Sequence, residues 1–234
     1  AAGRYFATFL CTDVPTKDTP ATDRKVGIDL GVETLATLSD GRKIGNPRHL
    51  KKYERKLARE QRRLARRKGT RRGEKPSGRY LKQRKRVARI HAKIADARTD
   101  TLHKVTTLLA DENQVLCMED LNAKGMMRNC HLAKAVSDAS FGEFARLLEY
   151  KCAERGRTLV RVGRFYPSSK TCSGCGHRLD ALPLSVRSWD CPACGAHHDR
   201  DVNAARNILA EGKRILSNTE GTAGHAGTVA ATVA

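Results

Sequence analysis

The sequence predicts an α/β protein: a mixed sheet carrying two insertions, a basic helical hairpin and a small metal-holding ribbon. Three observations predict it. Apolar strand-like runs end in acids at Asp29 and again at Glu119-Asp120, with a long stretch of different texture between them. That stretch, from Arg48 to Arg98, holds 22 Lys/Arg against 4 Asp/Glu, a net +18 out of +20 for the whole chain. Two Cys-x-x-Cys knuckles, Cys172/Cys175 and Cys191/Cys194, stand fifteen residues apart, each with a glycine just past its second cysteine.

The chain opens on a β-like run, Arg4 to Leu10, and a polar loop to about Arg24, so residues 1–24 read as a β segment and linker. Lys25 to Gly31 is a buried-strand pattern ending in an acid and a glycine. Val32–Leu38 and Arg42–Ile44 flank Ser39-Asp40-Gly41, and Asp-Gly between apolar runs signals a hairpin. Asp29 therefore lies on the first strand of an antiparallel meander. Among apolar neighbours an unpaired carboxylate is costly, so it needs a metal or a basic partner.

Leu50, Tyr53, Leu57 and Leu64 fit one helical stripe; Val87, Ile90, Ile94, Ala97, Thr101, Val105 and Leu108 fit a second, longer one. Gly69 to Gly78, with Pro76, separates them. Residues 48–111 thus read as an inserted antiparallel helical hairpin with basic outer faces. A soluble helix would interleave signs; here acids are almost absent, which favours phosphate contact with steep salt dependence. Arg59, Arg62, Arg63, Arg66, Arg67, Lys82 and Arg86, with Lys170 farther on, are the candidate nucleic-acid contacts. Aromatics make up only 5% of the chain, giving little support for binding by base stacking alone.

Gln114 to Leu121 is a second buried strand, and so long a connection suits a parallel partner of the Asp29 strand. Ser140-x-x-Glu143 reads as a capping box before a helix with Phe141, Phe144, Leu148 and Cys152 on one face, ending near Gly156. Thr158 to Val162 is a third strand, and residues 25–165 form the core with its hairpin insertion. A ribbon occupies residues 166–197 and a final core helix 198–212, with Ala204, Ala205, Ile208 and Leu209 apolar. Residues 213–234, rich in Gly, Thr and Ala, read as a disordered tail.

The knuckles admit two readings, a pair of redox or disulfide couples and one structural zinc. The spacing, in a chain without a secretory signal, favours a single closed four-thiolate zinc held by Cys172, Cys175, Cys191 and Cys194. His177, His197 and His198 are then left out of the coordination. Cys11, Cys117, Cys130 and Cys152 read as buried free thiols of a reducing compartment, and no apolar run of membrane-spanning length occurs; a cytoplasmic location is expected.

Without the insertions, the order is strand with Asp29, hairpin, strand with Glu119, helix, strand, helix with Asp201. That order matches the RNase H-like (RuvC) scaffold, in which acids from the first strand, a central strand and a late helix meet around a pair of Mg²⁺ or Mn²⁺ ions. Hard oxygen ligands suit that chemistry because they leave positions open to phosphate and water. Asp199 is placed to cap the final helix and Asp201 to project from its first turn. Strand alternation selects Glu119 over Asp120. Glu33 and Asp138 read as surface or capping residues.

Gly27-Ile28-Asp29-Leu30-Gly31, Met118-Glu119-Asp120-Leu121, Ser168-Ser169-Lys170-Thr171-Cys172 with its knuckles, and Arg200-Asp201-Val202-Asn203-Ala204-Ala205 together resemble the OrfB/TnpB family of insertion-sequence transposases. The resemblance covers residues 25–212 and is most specific from Ser168 to Asn207. It implies a split RuvC-like nuclease with an inserted zinc ribbon, related to type V CRISPR effectors, that cuts DNA under RNA guidance during transposition or recombination. Asp29, Glu119 and Asp201 would be its catalytic, magnesium-binding acids, and the knuckle cysteines its zinc ligands. The family carries an N-terminal β-barrel and helical lobe where this sequence has 24 residues before Lys25. The implied partners are DNA and, in a full-length form, a guide RNA, with no membrane and a monomeric or homodimeric state. The alternative is a truncated, non-cleaving accessory or regulator that only grips nucleic acid.

Overall fold

A computed structural model describes residues 2–12, 19–68 and 75–220, which divide into two compact units. One contains the described residues of 1–15 and 47–103; the other contains those of 16–46 and from 104 onward.

In the first unit, α1 (His49–Arg66) and the opening part of α2 (Gly78–Glu112) form the expected hairpin. Leu57, Val87, Ile90 and Ile94 are buried between them, with Leu50, Tyr53 and Leu64 packed alongside. The antiparallel register is fixed by polar pairs: His49 Nε2 meets Thr101 Oγ1 at 2.9 Å, while Gln83, fully buried, donates to the Glu60 carbonyl at 3.0 Å and its carboxylate at 2.8 Å. The Gln83 amide, then the guanidiniums of Arg63 and Arg59, hold Glu60 below the usual carboxylate range. Gly78 starts α2 instead of ending a break, and residues 69–74 of the expected break lie outside the described residues.

Arg4 to Leu10 is not a strand. Tyr5 is 98% exposed and Phe6 83%. An extended segment becomes a strand only where a neighbour pairs its N–H and C=O groups, and among the described residues none does so here. Cys11 and Cys130 are exposed, against expectation; Cys117 and Cys152 are buried, and burial pushes both thiols up to about 12.

The second unit is built on a five-stranded mixed sheet. Its strands are β1 (Lys25–Leu30), β2 (Thr34–Leu38), β3 (Lys43–Gly45), β4 (Val115–Glu119) and β5 (Thr158–Val162), in the order β3-β2-β1-β4-β5. The meander β1-β2-β3 is antiparallel; β4 pairs parallel with both β1 and β5. Gly41, at φ 93°, makes the predicted turn, with Asp40 accepting from the Arg42 amide. Short helices α3 (Ala123–Met126) and α4 (Ala133–Ala139) lead into α5 (Phe141–Glu154), whose Phe144, Leu147 and Leu148 are buried. Ser140 is in the left-handed region (φ 55°), ending α4 as it begins α5. Its hydroxyl donates to the Ser137 carbonyl and Glu143 pairs with Arg146, so no capping box forms. Asp138 is buried rather than on the surface.

The ribbon contributes β6 (Ser188–Asp190) and β7 (His197–Asp199), and α6 (Arg200–Glu220) follows directly. α6 packs on β1, β4 and β5, with Ile208 buried against Val115, Cys117, Val160 and Val162. Glycines allow that approach at two places. A Cβ on Gly27 would lie 2.0 Å from the Ala205 carbonyl oxygen, and one on Gly212 would lie 2.2 Å from Cys117 Sγ. Gly212 therefore does not stop the helix. It costs about 1 kcal/mol of propensity, but it seats α6 on β4, and Ile215 and Leu216 continue the apolar stripe into the same cluster. The expected tail from 213 is helical to Glu220; residues 221–234 lie outside the described residues. Because the atom facing Gly27 is backbone, Gly27→Ala should destabilise the sheet unit by about 3 kcal/mol. A urea-unfolding loss well below that would mean α6 can lift off the sheet.

Candidate active site and metal centre

Asp29 and Glu119 are the next residues after the paired Ile28–Met118 step of adjacent parallel strands. Strand alternation puts them on the face shared by Gly27 and Cys117, the face α6 covers. Asp201 stands in the first turn of α6 and completes the group. Burial, then the charges of Glu119 and Asp201, push the Asp29 carboxyl well above the usual carboxylate range, with Arg200 pulling the other way. Burial also raises Glu119, against a hydrogen bond from the Ser168 hydroxyl to its Oε1. The structure thus brings the three expected acids together.

The rejected candidates face other partners. Asp120 is flanked by Arg164 at 3.2 Å and Arg161 at 3.7 Å. Asp199 Oδ1 accepts from the amides of Asp201 (3.1 Å) and Val202 (3.0 Å), the expected cap, and its Oδ2 meets Lys43 Nζ at 2.7 Å. Burial opposes ionisation of Asp199, but Lys43 and the two amides together outweigh it and hold the group low. Arg187, on the ribbon, spans Glu33 at 2.9 Å and Asp201 at 3.9 Å, so a cation borders the acids.

The four knuckle sulfurs all lie within 4.8 Å of one another. Among the described residues this is the one group of three or more His, Cys, Asp or Glu side chains that comes together as closely as a metal ion needs. Each knuckle is a tight backbone turn: Gly176 N donates to Cys172 O and Gly195 N to Cys191 O, both glycines with positive φ. His198 is buried, its ring 4.8 Å from that of Trp189, with Nε2 3.0 Å from Cys172 Sγ. It is thus a hydrogen-bond partner of a knuckle sulfur, a role its sequence position does not signal.

Three further residues tie the ribbon to the core. Asn203 Oδ1 accepts from Ser173 N (2.9 Å) and its Nδ2 donates to Thr171 O (2.7 Å). Asn207 Nδ2 donates to Ser168 O (2.7 Å) and Thr171 O (2.6 Å). Arg200 Nη1 donates to the carbonyl of Pro183 at 2.9 Å. The available signal for the asparagines was spacing: amides at i and i+4 beside Ala204 and Ile208 put polar groups on a buried stripe, where each needs a partner.

Of the candidate nucleic-acid contacts, Arg59 and Arg63 border Glu60, Arg67 donates to Gln83, and Arg62 reaches the Ala58 carbonyl. Lys170 Nζ donates to Asp180 O at 2.8 Å. Arg66, Lys82 and Arg86 are exposed on the helices.

Residues 9–130 match the family model OrfB_IS605, described as "Probable transposase", and residues 141–208 match "Cas12f1-like, TNB domain". A Streptomyces pristinaespiralis protein named "Putative RNA-guided DNA endonuclease" is 50% identical over 211 residues, covering 90% of this chain and 50% of its own. The Escherichia coli K12 protein of the same description, InsQ, is 35% identical, covering 82% of this chain and 50% of its own. The chain thus spans about half the length of these curated relatives. A cryo-EM structure of a Cas12f1–sgRNA–target DNA complex superposes with a TM-score of 0.56 at 19% identity, over 82% of this chain and 51% of that one, a likeness of fold.

Proposed function

The chain belongs to the OrfB/IS605 transposase family, and from that premise we propose that it is the nuclease portion of an RNA-guided DNA endonuclease, hydrolysing phosphodiester bonds at Asp29, Glu119 and Asp201. The observation that carries this reading is the state of Asp29: a carboxyl crowded by two others and destabilised by burial, with Arg200 as its countercharge. Such a cluster is costly unless a cation occupies it. The strand order β3-β2-β1-β4-β5, with acids on β1, β4 and the helix after β5, supports an RNase H-like core.

The donor sets fit the expected metals. Three carboxylates suit a pair of Mg²⁺ or Mn²⁺ ions with positions left for water and phosphate; four mutually close sulfurs suit one zinc with none left. The divalent cations, when bound, would supply Lewis acidity to the attacking and leaving oxygens. Asp29, Glu119 and Asp201 would hold them. Arg187, beside Asp201, is placed to contact a phosphate oxygen of the strand, and Asp199 keeps the first turn of α6, and with it Asp201, in place. The basic hairpin, with Lys82 and Arg86 exposed, would bind the phosphate backbone of DNA and, in the longer relatives' setting, guide RNA. None of the described helices is long and apolar enough to cross a membrane, and we place the protein in the cytoplasm.

The test is nicking of supercoiled plasmid. Added Mn²⁺ or Mg²⁺ should convert plasmid to the open circle, and cation-free protein should not. A second reading, a binding accessory without cleavage, draws on the charge of the hairpin. DNA retention in a gel shift with no nicking under either cation, with or without added guide RNA, would establish it over the nuclease.

A further inference from the structure

Ser168 lies just before the first knuckle in sequence and 49 residues from Glu119, the acid it adjoins. It is 7% exposed, and its hydroxyl donates to Glu119 Oε1. Glu119 is the last residue of β4; its backbone pairs with Val162 of β5, and the pairing with β1 ends one residue earlier, at Ile28–Met118. Ser168, by contrast, is fixed on several sides. Its amide donates to Tyr166 O at 2.8 Å, and its carbonyl accepts from Asn207 of α6 at 2.7 Å. The turn continues rigidly into the knuckle: Thr171 N and Oγ1 both donate to Pro167 O, and Thr171 O accepts from Asn203 and Asn207. Asn203 then accepts from Ser173, next to Cys172. A continuous set of hydrogen bonds therefore runs from the first knuckle, through the helix that carries Asp201, to the free end of Glu119.

We infer that Ser168 is a positioning residue: it holds the Glu119 carboxylate in the orientation that binds a divalent cation, and the first knuckle and α6 hold Ser168. The inference rests on the proposed cation site and adds to it a residue that is not itself a ligand. One oxygen of Glu119 accepts from the hydroxyl, which leaves the other oxygen and a further lone pair of the first available to a cation. Ser168→Ala keeps the bonds that residue 168 makes to Tyr166 and Asn207, which use its own backbone atoms, and deletes only the contact to Glu119. Threonine restores the hydroxyl.

The test is cation binding rather than cleavage, read on the zinc-replete full chain freed of other divalent ions. Mn²⁺ is titrated while thermal stability is followed, with the Mn²⁺ electron paramagnetic resonance signal as a second count of bound ion. Wild type should gain stability with a saturable midpoint. Ser168→Ala should keep the wild-type melting temperature without Mn²⁺ and need about tenfold or more Mn²⁺ to reach half of the gain, the scale typical for partners of metal ligands. Ser168→Thr should return the midpoint to within about twofold of wild type. A midpoint unchanged in Ser168→Ala overturns the inference. So does a lowered melting temperature without Mn²⁺ combined with an unchanged midpoint, since that is a structural role alone. If wild type itself shows no saturable gain, the carboxylate site fails and this inference fails with it. A wild-type gain lost in Asp29→Asn but kept in Ser168→Ala leaves the site standing and sinks only the positioning role.

Discussion

Replacing Asp29 by asparagine is expected to abolish plasmid nicking, by on the order of 10³-fold or more, and at the same time to stabilise the cation-free protein. The loss follows from removing a ligand whose ion supplies several kcal/mol of transition-state charge stabilisation, at 1.36 kcal/mol per factor of ten. The gain follows from the position of the group. Burial, then Glu119 and Asp201, raise the Asp29 carboxyl in the folded state above its unfolded value. A carboxyl raised in this way binds protons more tightly when folded. Its effect on folding is therefore least harmful below the unfolded pKa and grows as pH rises toward the folded one. Without divalent cations, wild-type stability should fall across that window and the asparagine variant should fall less, ending with the higher melting temperature at neutral pH. Added Mn²⁺ should reverse the ranking, because only the wild type recovers its lost stability by binding. A variant that cleaves normally, or one that is less stable than wild type in cation-free buffer, would contradict the assignment of Asp29.

Stripping the zinc should produce the second large effect. Structural zinc in small modules binds with roughly 10–16 kcal/mol, and the knuckles have little else to hold them together. The ribbon's apolar cluster consists of Trp189 with Cys172 and Cys191, aided by Leu179, Leu182 and Val186, and two of those six residues are themselves knuckle cysteines. After chelation, hydrogen exchange should show residues 166–199 losing protection by about 10³-fold or more while β1, β4 and β5 keep theirs. The first turn of α6 should loosen with the ribbon, since Asn203 and Arg200 both bond to it. A ribbon equally protected with and without metal would remove zinc from its structural role.

Much of this was readable in the sequence, because it depends on local pattern. The helical stripes, the Asp-Gly turn, the strands around Asp29, Glu119 and Val160, and the knuckle spacing are all set by neighbours within a few residues. What escaped depends on contacts between distant segments. Gly212 reads as a helix end until Cys117 lies against it. Ser140 reads as a cap until two helices abut with no room for one. Arg4 to Leu10 has strand-like composition but no edge to join. The hydrogen bonds from Ser168 to Glu119 and from Asn207 to Ser168 bridge 49 and 39 residues and leave no periodic trace. The acids occupy a middle case. Their positions followed from strand alternation and capping logic, but only the folded sheet shows how strongly they act on Asp29.

The parallel pairing of β1 with β4 also has a kinetic side. Lys25 pairs with Val115, a closure of 90 residues; without the 64 residues of the hairpin at 48–111 it would be 26. Closure entropy grows only logarithmically with loop length, so the insertion adds about 1 kcal/mol to that step. The hairpin offsets this with its own buried cluster of Leu57, Val87, Ile90 and Ile94, formed between residues near in sequence. It can therefore assemble early and shorten the effective loop, while the centre of the sheet waits for the longest-range strand pairing in the sheet. Asp29 and Glu119 become neighbours only when that pairing is complete, and Asp201 joins them only when α6 has packed on β1.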